Sequence, residues 1–133
     1  MALVSAGYGG GIYCKGKTSP KTKIKVYASE ISGNRAKSGG GVYLKNVAKD
    51  YNNNSEIKGC QIFENTVNDN GAGVYFDTSY GSIKQCLLSS NMATNNGGAI
   101  YANPSTIFLE NCAIVDNSSS SGAGLYMYPG TAS

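Results

Sequence analysis

The sequence contains no histidine and no tryptophan. The missing histidine removes the side chain that most often moves protons near neutral pH and most often ligates transition metals. Charge is also scarce: charged residues make up 14% of the chain, and eleven Lys and Arg against eight Asp and Glu leave a net charge of +3. That balance is too mild to argue for a nucleic-acid partner. No apolar run approaches the roughly 20 residues of a membrane-spanning helix, and Met1-Ala2-Leu3-Val4 is too short for the apolar core of a signal peptide. Only three prolines accompany eighteen glycines, with no G-X-Y period. This excludes collagen and leaves tight turns or close strand packing as the use of glycine. Helical periodicity is absent at any useful length.

What the chain does have is a motif said five times. Gly9-Gly10-Gly11-Ile12-Tyr13, Gly39-Gly40-Gly41-Val42-Tyr43, Gly71-Ala72-Gly73-Val74-Tyr75, Gly97-Gly98-Ala99-Ile100-Tyr101 and Gly122-Ala123-Gly124-Leu125-Tyr126 recur at intervals of 30, 32, 26 and 25 residues. A repeat of that length identifies a solenoid or array. A second template precedes each later copy: an aliphatic, then Cys or Ser, then Ile or Leu, then Asn. Its four instances are Val26–Ser29–Ile31–Asn34, Ile57–Cys60–Ile62–Asn65, Ile83–Cys86–Leu88–Asn91 and Leu109–Cys112–Ile114–Asn117.

Around the glycine motif the apolar pattern has period two. Gly40, Val42 and Leu44 share one face, as do Ala72, Val74 and Phe76, and the tyrosine between them points to the other. Short strands without helical crossovers predict an all-β fold, a right-handed parallel β-helix of about four to five coils with three strands per turn. Residues 1–133 read as one such domain or as a segment of a longer solenoid. Equivalent residues then stack as columns. The inner ones are Val26/Ile57/Ile83/Leu109, Ile31/Ile62/Leu88/Ile114 and Ile12/Val42/Val74/Ile100/Leu125. Each buried aliphatic stabilises by roughly 1.5–3 kcal/mol. The first two coils carry longer loops, Lys15–Lys23 and Lys45–Asn54, expected to lie side by side.

Four groups of residues are candidate sites. Cys60, Cys86 and Cys112, spaced by 26 and 26, form a column with Ser29. Metal-type CxxC spacing is absent, and disulfides between in-register neighbours are strained, so a stack of small buried thiols is the simplest account. Asn34, Asn65, Asn91 and Asn117 are expected to form an amide ladder at a corner. Tyr13, Tyr43, Tyr75, Tyr101 and Tyr126 form an outward column, either cross-strand packing or an exposed strip that contacts a sugar or partner. Lys15, Lys17, Lys21, Lys23, Lys45 and Lys49 form a basic corner that is either solvated or meets an acidic partner.

Catalysis is not expected. Of the eight acids only Glu64 and Asp116 share a column, two coils apart and so separated by roughly 10 Å. No cofactor and no metal is expected. Asn53 and Asn117 each open a formal glycosylation triplet. Threonines are scattered, which argues against the flat ladders used to bind ice.

The combined template resembles the repeat of the polymorphic outer membrane proteins of chlamydiae. Gly97-Gly98-Ala99-Ile100 matches that family's G-G-A-[ILV] signature, and the other four copies vary it at Gly/Ala positions. The F-x-x-N signature is met without its Phe, as Ile31-x-x-Asn34, Ile62-x-x-Asn65, Leu88-x-x-Asn91 and Ile114-x-x-Asn117. The resemblance implies a β-helix with a non-catalytic role at a cell surface: adhesion, self-association or a structural stalk. Partners follow from that expectation. They are other copies of the chain docked head to tail, neighbouring coils of a longer chain, or a glycan or surface protein. An adhesin fragment and a carbohydrate-cleaving β-helix module are the alternative functions.

Overall fold

In the computed structural model, which describes residues 7–17, 22–48 and 54–129, the chain is all-β and every strand pairing is parallel. No helix is present among the described residues, so none is long and apolar enough to cross a membrane. The strands stack in about four coils.

The glycine motif opens the longest sheet. Its strands are β1 (Ile12–Lys15), β5 (Val42–Lys45), β9 (Val74–Asp77), β13 (Ile100–Asn103) and β16 (Leu125–Met127), stacked in that order. The next side holds β2 (Lys25–Tyr27), β6 (Ser55–Lys58), β10 (Tyr80–Lys84) and β14 (Thr106–Glu110). A third holds β3 (Glu30–Ser32), β7 (Gln61–Phe63), β11 (Leu87–Ser89) and β15 (Ala113–Val115). Three strands per turn were expected. The structure adds a fourth short side, β4 (Arg35–Ala36), β8 (Thr66–Val67) and β12 (Met92–Ala93), where two residues extend before the chain reaches the glycine motif.

Register is set residue on residue. Val26 pairs with Ile57, Ile57 with Ile83 and Ile83 with Leu109. Ile31, Ile62, Leu88 and Ile114 do the same on the third side, and Ile12, Val42, Val74, Ile100 and Leu125 on the first. These columns form one continuous apolar core that also takes in Cys60 and Cys86. Phe76 and Leu44 are its largest fully buried side chains.

The corners are columns as well. Ala28, Gly59, Gln85 and Asn111 all turn with positive φ, and so do Gly33, Glu64, Ser90 and Asp116. Left-handed backbone costs most residues roughly 1–2 kcal/mol, so the stack imposes one corner geometry even where the local residue does not favour it. Gly71, with φ +67°, shows why the third corner keeps glycine: a Cβ there would lie 3.0 Å from the Cβ of Tyr75. Parts of the two long loops run together, as Gly16 donates to the Lys45 carbonyl at 2.7 Å and Ala48 to that of Thr22 at 2.8 Å. Residues 18–21 and 49–53 lie outside the described residues.

Candidate functional site

The asparagine column is a polar wire inside the corner. Asn34, Asn65 and Asn91 each donate from Nδ2 to Oδ1 of the asparagine one coil on, at 3.1, 3.0 and 3.0 Å. Their backbone N–H groups donate to the same oxygens at 3.1, 3.2 and 2.9 Å. Asn65, Asn91 and Asn117 also return a bond to the coil before, to the carbonyls of Ile31, Ile62 and Leu88. Asn65 and Asn91 are fully buried, and these bonds meet the satisfaction requirement that burial imposes.

The thiols form a parallel column. Cys60, Cys86 and Cys112 donate to the carbonyls of Val26, Ile57 and Ile83 in the preceding coil, at 3.5, 3.6 and 3.3 Å. All four cysteines are free thiols. Burial pushes the Cys86 thiol up to about 11 and also raises that of half-buried Cys14, so neither is primed as a nucleophile at neutral pH. No group of three His, Cys, Asp or Glu side chains suited to a metal occurs among the described residues.

A serine column escaped the sequence reading. Ser79 accepts from Val47 N–H at 3.2 Å and donates to the Leu44 carbonyl at 3.0 Å, and its own N–H donates to Ser105 Oγ at 2.9 Å. Ser55, in register with Gly81 rather than with Ser79, makes a similar bond on its own, accepting from Ile24 N–H at 3.1 Å. The signal was Ser79 and Ser105 at the 26-residue coil interval, hidden among many other serines.

The tyrosine column needs correction. Tyr13, Tyr43, Tyr75, Tyr101 and Tyr126 do stack, with ring centroids 5.5, 4.6, 4.7 and 5.4 Å apart in sequence. An exposed binding strip does not result. Tyr43, Tyr75 and Tyr101 are 4%, 8% and 6% exposed and form a small core of their own, with Tyr126 packed against it. Each ring is roofed by the rings above and below, and the glycine corner folds against their Cβ atoms. Tyr43 donates to Asp77 at 2.8 Å. Burial first, and then this bond, raises the Tyr43 hydroxyl far above its ordinary range; burial likewise raises Tyr75 and Tyr101. Only Tyr13, at the end of the column, stays half exposed.

Four lysines of the basic corner lie among the described residues. Lys15 stacks beside Lys45, but Lys45 reaches Asp77 at 3.9 Å, so its charge is partly engaged. Lys17 and Lys23 are exposed. Lys21, Lys49 and the glycosylation triplet at Asn53 lie outside the described residues. Glu64 and Asp116 occupy one corner column and are exposed.

The second side carries a charged cluster that sequence alignment by columns did not bring together. Lys84 lies between Glu56 and Glu110, at 3.6 and 3.8 Å. Tyr27 donates to Glu56 at 2.7 Å, and Lys25 sits 5.9 Å from the Tyr27 ring centroid. The Tyr27 hydrogen bond, with the weaker help of the charges of Lys84, Lys25 and Lys58, holds the Glu56 carboxyl below its usual range against the opposing effect of burial. Beside these residues is a depression of about 430 Å³ lined by Tyr27, Ala28, Glu56, Lys58, Gly59 and Gln85.

Comparison with known proteins fits this repeat. Residues 85–103 match the Chlamydia polymorphic membrane protein (Chlamydia_PMP) repeat. The matched segment runs from the Gln85 corner through Cys86, Leu88 and Asn91 to the glycine motif and the end of β13, so it includes one member each of the thiol, asparagine and tyrosine columns. No curated protein and no solved structure matches the chain.

Proposed function

We propose that this chain is a stretch of a non-catalytic cell-surface β-solenoid, a structural and adhesive stalk that extends by adding coil to coil. The surface assignment is supported by the match of residues 85–103 to a repeat of membrane proteins. The assembly assignment is carried by one observation: the two outermost described coils are complementary. Asn34 Oδ1 accepts no bond among the described residues, whereas its counterparts in Asn65, Asn91 and Asn117 each accept two. At the other end, Asn117 N–H has no acceptor among the described residues. One coil end therefore presents the acceptor and the other the donor of the same ladder. The apolar columns are likewise open: Leu125 is 37% exposed, and Ile12, Leu109 and Ile114 are only partly covered.

A unit placed above Asn34 in register would continue every column. Such a contact joins unlike surfaces and propagates without closing, and unpaired parallel edges template it. In the isolated chain the incoming unit is a second copy, which makes a fibre. Electron microscopy and light scattering on the same purified sample test this. Uniform fibres that grow with concentration, and that Leu125→Lys abolishes while the β-sheet circular dichroism is kept, are the expected result. A monodisperse monomer at all concentrations would overturn the assembly reading.

A further inference from the structure

We propose that the depression on the second side is a binding subsite for an acidic sugar residue of a glycan chain, one that bears a carboxylate or a sulfate. The site goes beyond the assembly reading and does not depend on it, since it lies on a lateral face rather than on a coil end.

The floor comes from the corner column. Ala28 and Gly59 are small, and a Cβ added at Gly59 would have only the Ala28 backbone within 4.0 Å, at 3.9 Å or more. This leaves a shallow trough between β2 and β10, of the volume that ligand sites have. Tyr27 stands beside it, 47% exposed, unlike the buried tyrosines of the ladder. Its hydroxyl is tied to Glu56, so the ring is held in place before any ligand arrives. A fixed, half-exposed aromatic face next to polar groups suits the apolar face of a pyranose.

The polar groups define the class. Glu56 is held ionised by its hydrogen bond and its lysines, and accepts hydroxyl hydrogens. The exposed Gln85 amide both donates and accepts. The charge balance then selects the sugar. Tyr27, Lys58 and Lys84 stand side by side in register on three successive coils, with Lys25 flanking Tyr27. Lys84 is shared between Glu56 and Glu110, and those two carboxylates are the cluster's acids. Lys58 forms no ion pair among the described residues and lies next to Lys84, a like charge. An anion at the trough relieves that repulsion, whereas a neutral sugar does not.

The test uses isothermal titration of the full chain with three defined oligosaccharides: tetragalacturonate, a heparin-derived tetrasaccharide and neutral cellotetraose. Saturable binding of at least one acidic oligosaccharide is expected, weakening as salt rises from about 50 to about 500 mM. Binding of tetragalacturonate shows that a carboxylate suffices, whereas binding of the heparin tetrasaccharide alone, which carries both groups, points to sulfate. Tyr27→Ala and Lys58→Gln should each weaken binding by about tenfold or more, a loss readable in Kd. Tyr13→Ala, an exposed tyrosine on another side, should leave it unchanged. Both substituted positions are exposed, and circular dichroism checks that the coils persist. Equal affinity for cellotetraose, no saturable binding of either acidic oligosaccharide, or binding indifferent to Tyr27→Ala would each overturn the proposal. Fibre formation is scored separately, so either idea fails without the other.

Discussion

Replacing Asn91 by alanine measures what the amide column contributes to the fold. The wild-type side chain makes four hydrogen bonds: Oδ1 accepts from Asn65 N–H and Nδ2, and Nδ2 donates to the Ile62 carbonyl and Asn117 Oδ1. After truncation Asn65 Nδ2 keeps the Ile31 carbonyl, and Asn117 Oδ1 keeps Asn91 N–H. The Asn65 N–H keeps nothing among the described residues. A stranded buried donor costs about 1–3 kcal/mol, and each further lost bond about 0.5–1.5 kcal/mol. A water in the vacated space would recover part of this. The expected cost is therefore about 3–5 kcal/mol, a large share of the roughly 5–15 kcal/mol that holds a domain together. Asn34→Ala is the internal control. It removes one side-chain bond, to an oxygen that still accepts from Asn34 N–H, and strands no donor. Its cost should be about 0.5–1.5 kcal/mol. Urea unfolding gives both values. Because a solenoid can open coil by coil, hydrogen exchange of the Asn65 amide supplies a local readout and should speed up only in Asn91→Ala. Equal costs within about 0.5 kcal/mol, or an unchanged Asn65 amide, would refute the view that the column acts through buried satisfaction rather than through side-chain shape.

The other expectations concern the tyrosines and the thiols. Tyr101→Ala should cost about 3–5 kcal/mol, as for other buried aromatics, while Tyr13→Ala at the exposed end costs under about 1 kcal/mol; thermal or urea melts that rank them equally would restore the exposed-strip reading. The fold should also loosen at alkaline pH. Tyr43, Tyr75, Tyr101 and Cys86 all have raised pKa values in the fold, Cys86 to about 11. The folded state thus holds their protons more tightly than the unfolded chain does. Stability is full below the unfolded values, near 8.5 for Cys and 10 for Tyr, and falls as pH rises through the folded ones. A pH series of urea melts should show a plateau at neutral pH and a decline above about 9; a flat profile to pH 11 would contradict it. Against a thiol reagent at neutral pH, half-buried Cys112 should react well before Cys86, and the reverse order would refute the burial argument.

Columns were legible because stacking repeats one environment at one phase. The spacing of Cys60, Cys86 and Cys112 by 26 residues fixed the register of three coils, and the aliphatic before each cysteine and the asparagine after it followed. The side of a strand on which a residue lies was equally legible, since it depends only on alternation. Exposure was not. Tyr75 faces away from the main core as alternation requires, but is buried by Tyr43, Tyr101 and the glycine corner, and no local pattern encodes that roof. The fourth side was missed because Arg35–Ala36 and its equivalents are too short to show a period. The stacking of Ser79 on Ser105 was missed because these are two among many serines.

The lateral cluster was invisible for a different reason, and that reason bears on where function can reside in such a fold. Inward positions repeat in kind from coil to coil: Val26, Ile57, Ile83 and Leu109 differ by little more than a methyl group. The outward positions of the same strands run Lys25, Glu56, Ser82 and Phe108 in one column and Tyr27, Lys58, Lys84 and Glu110 in the next. The core constrains the first set through packing and leaves the second free. A surface site on this scaffold is therefore composed across coils, one or two residues from each. Tyr27 and Glu56 are 29 residues apart in sequence yet 2.7 Å apart in space. No contiguous motif can announce such a site, and searching for neighbours at the coil period, on outward positions only, is the operation that finds it. The same logic separates two kinds of damage. A substitution on an inward column, or in the buried tyrosine stack, weakens every coil that packs on it, whereas one at an exposed outward position such as Lys58 alters a single local surface and leaves the stack intact.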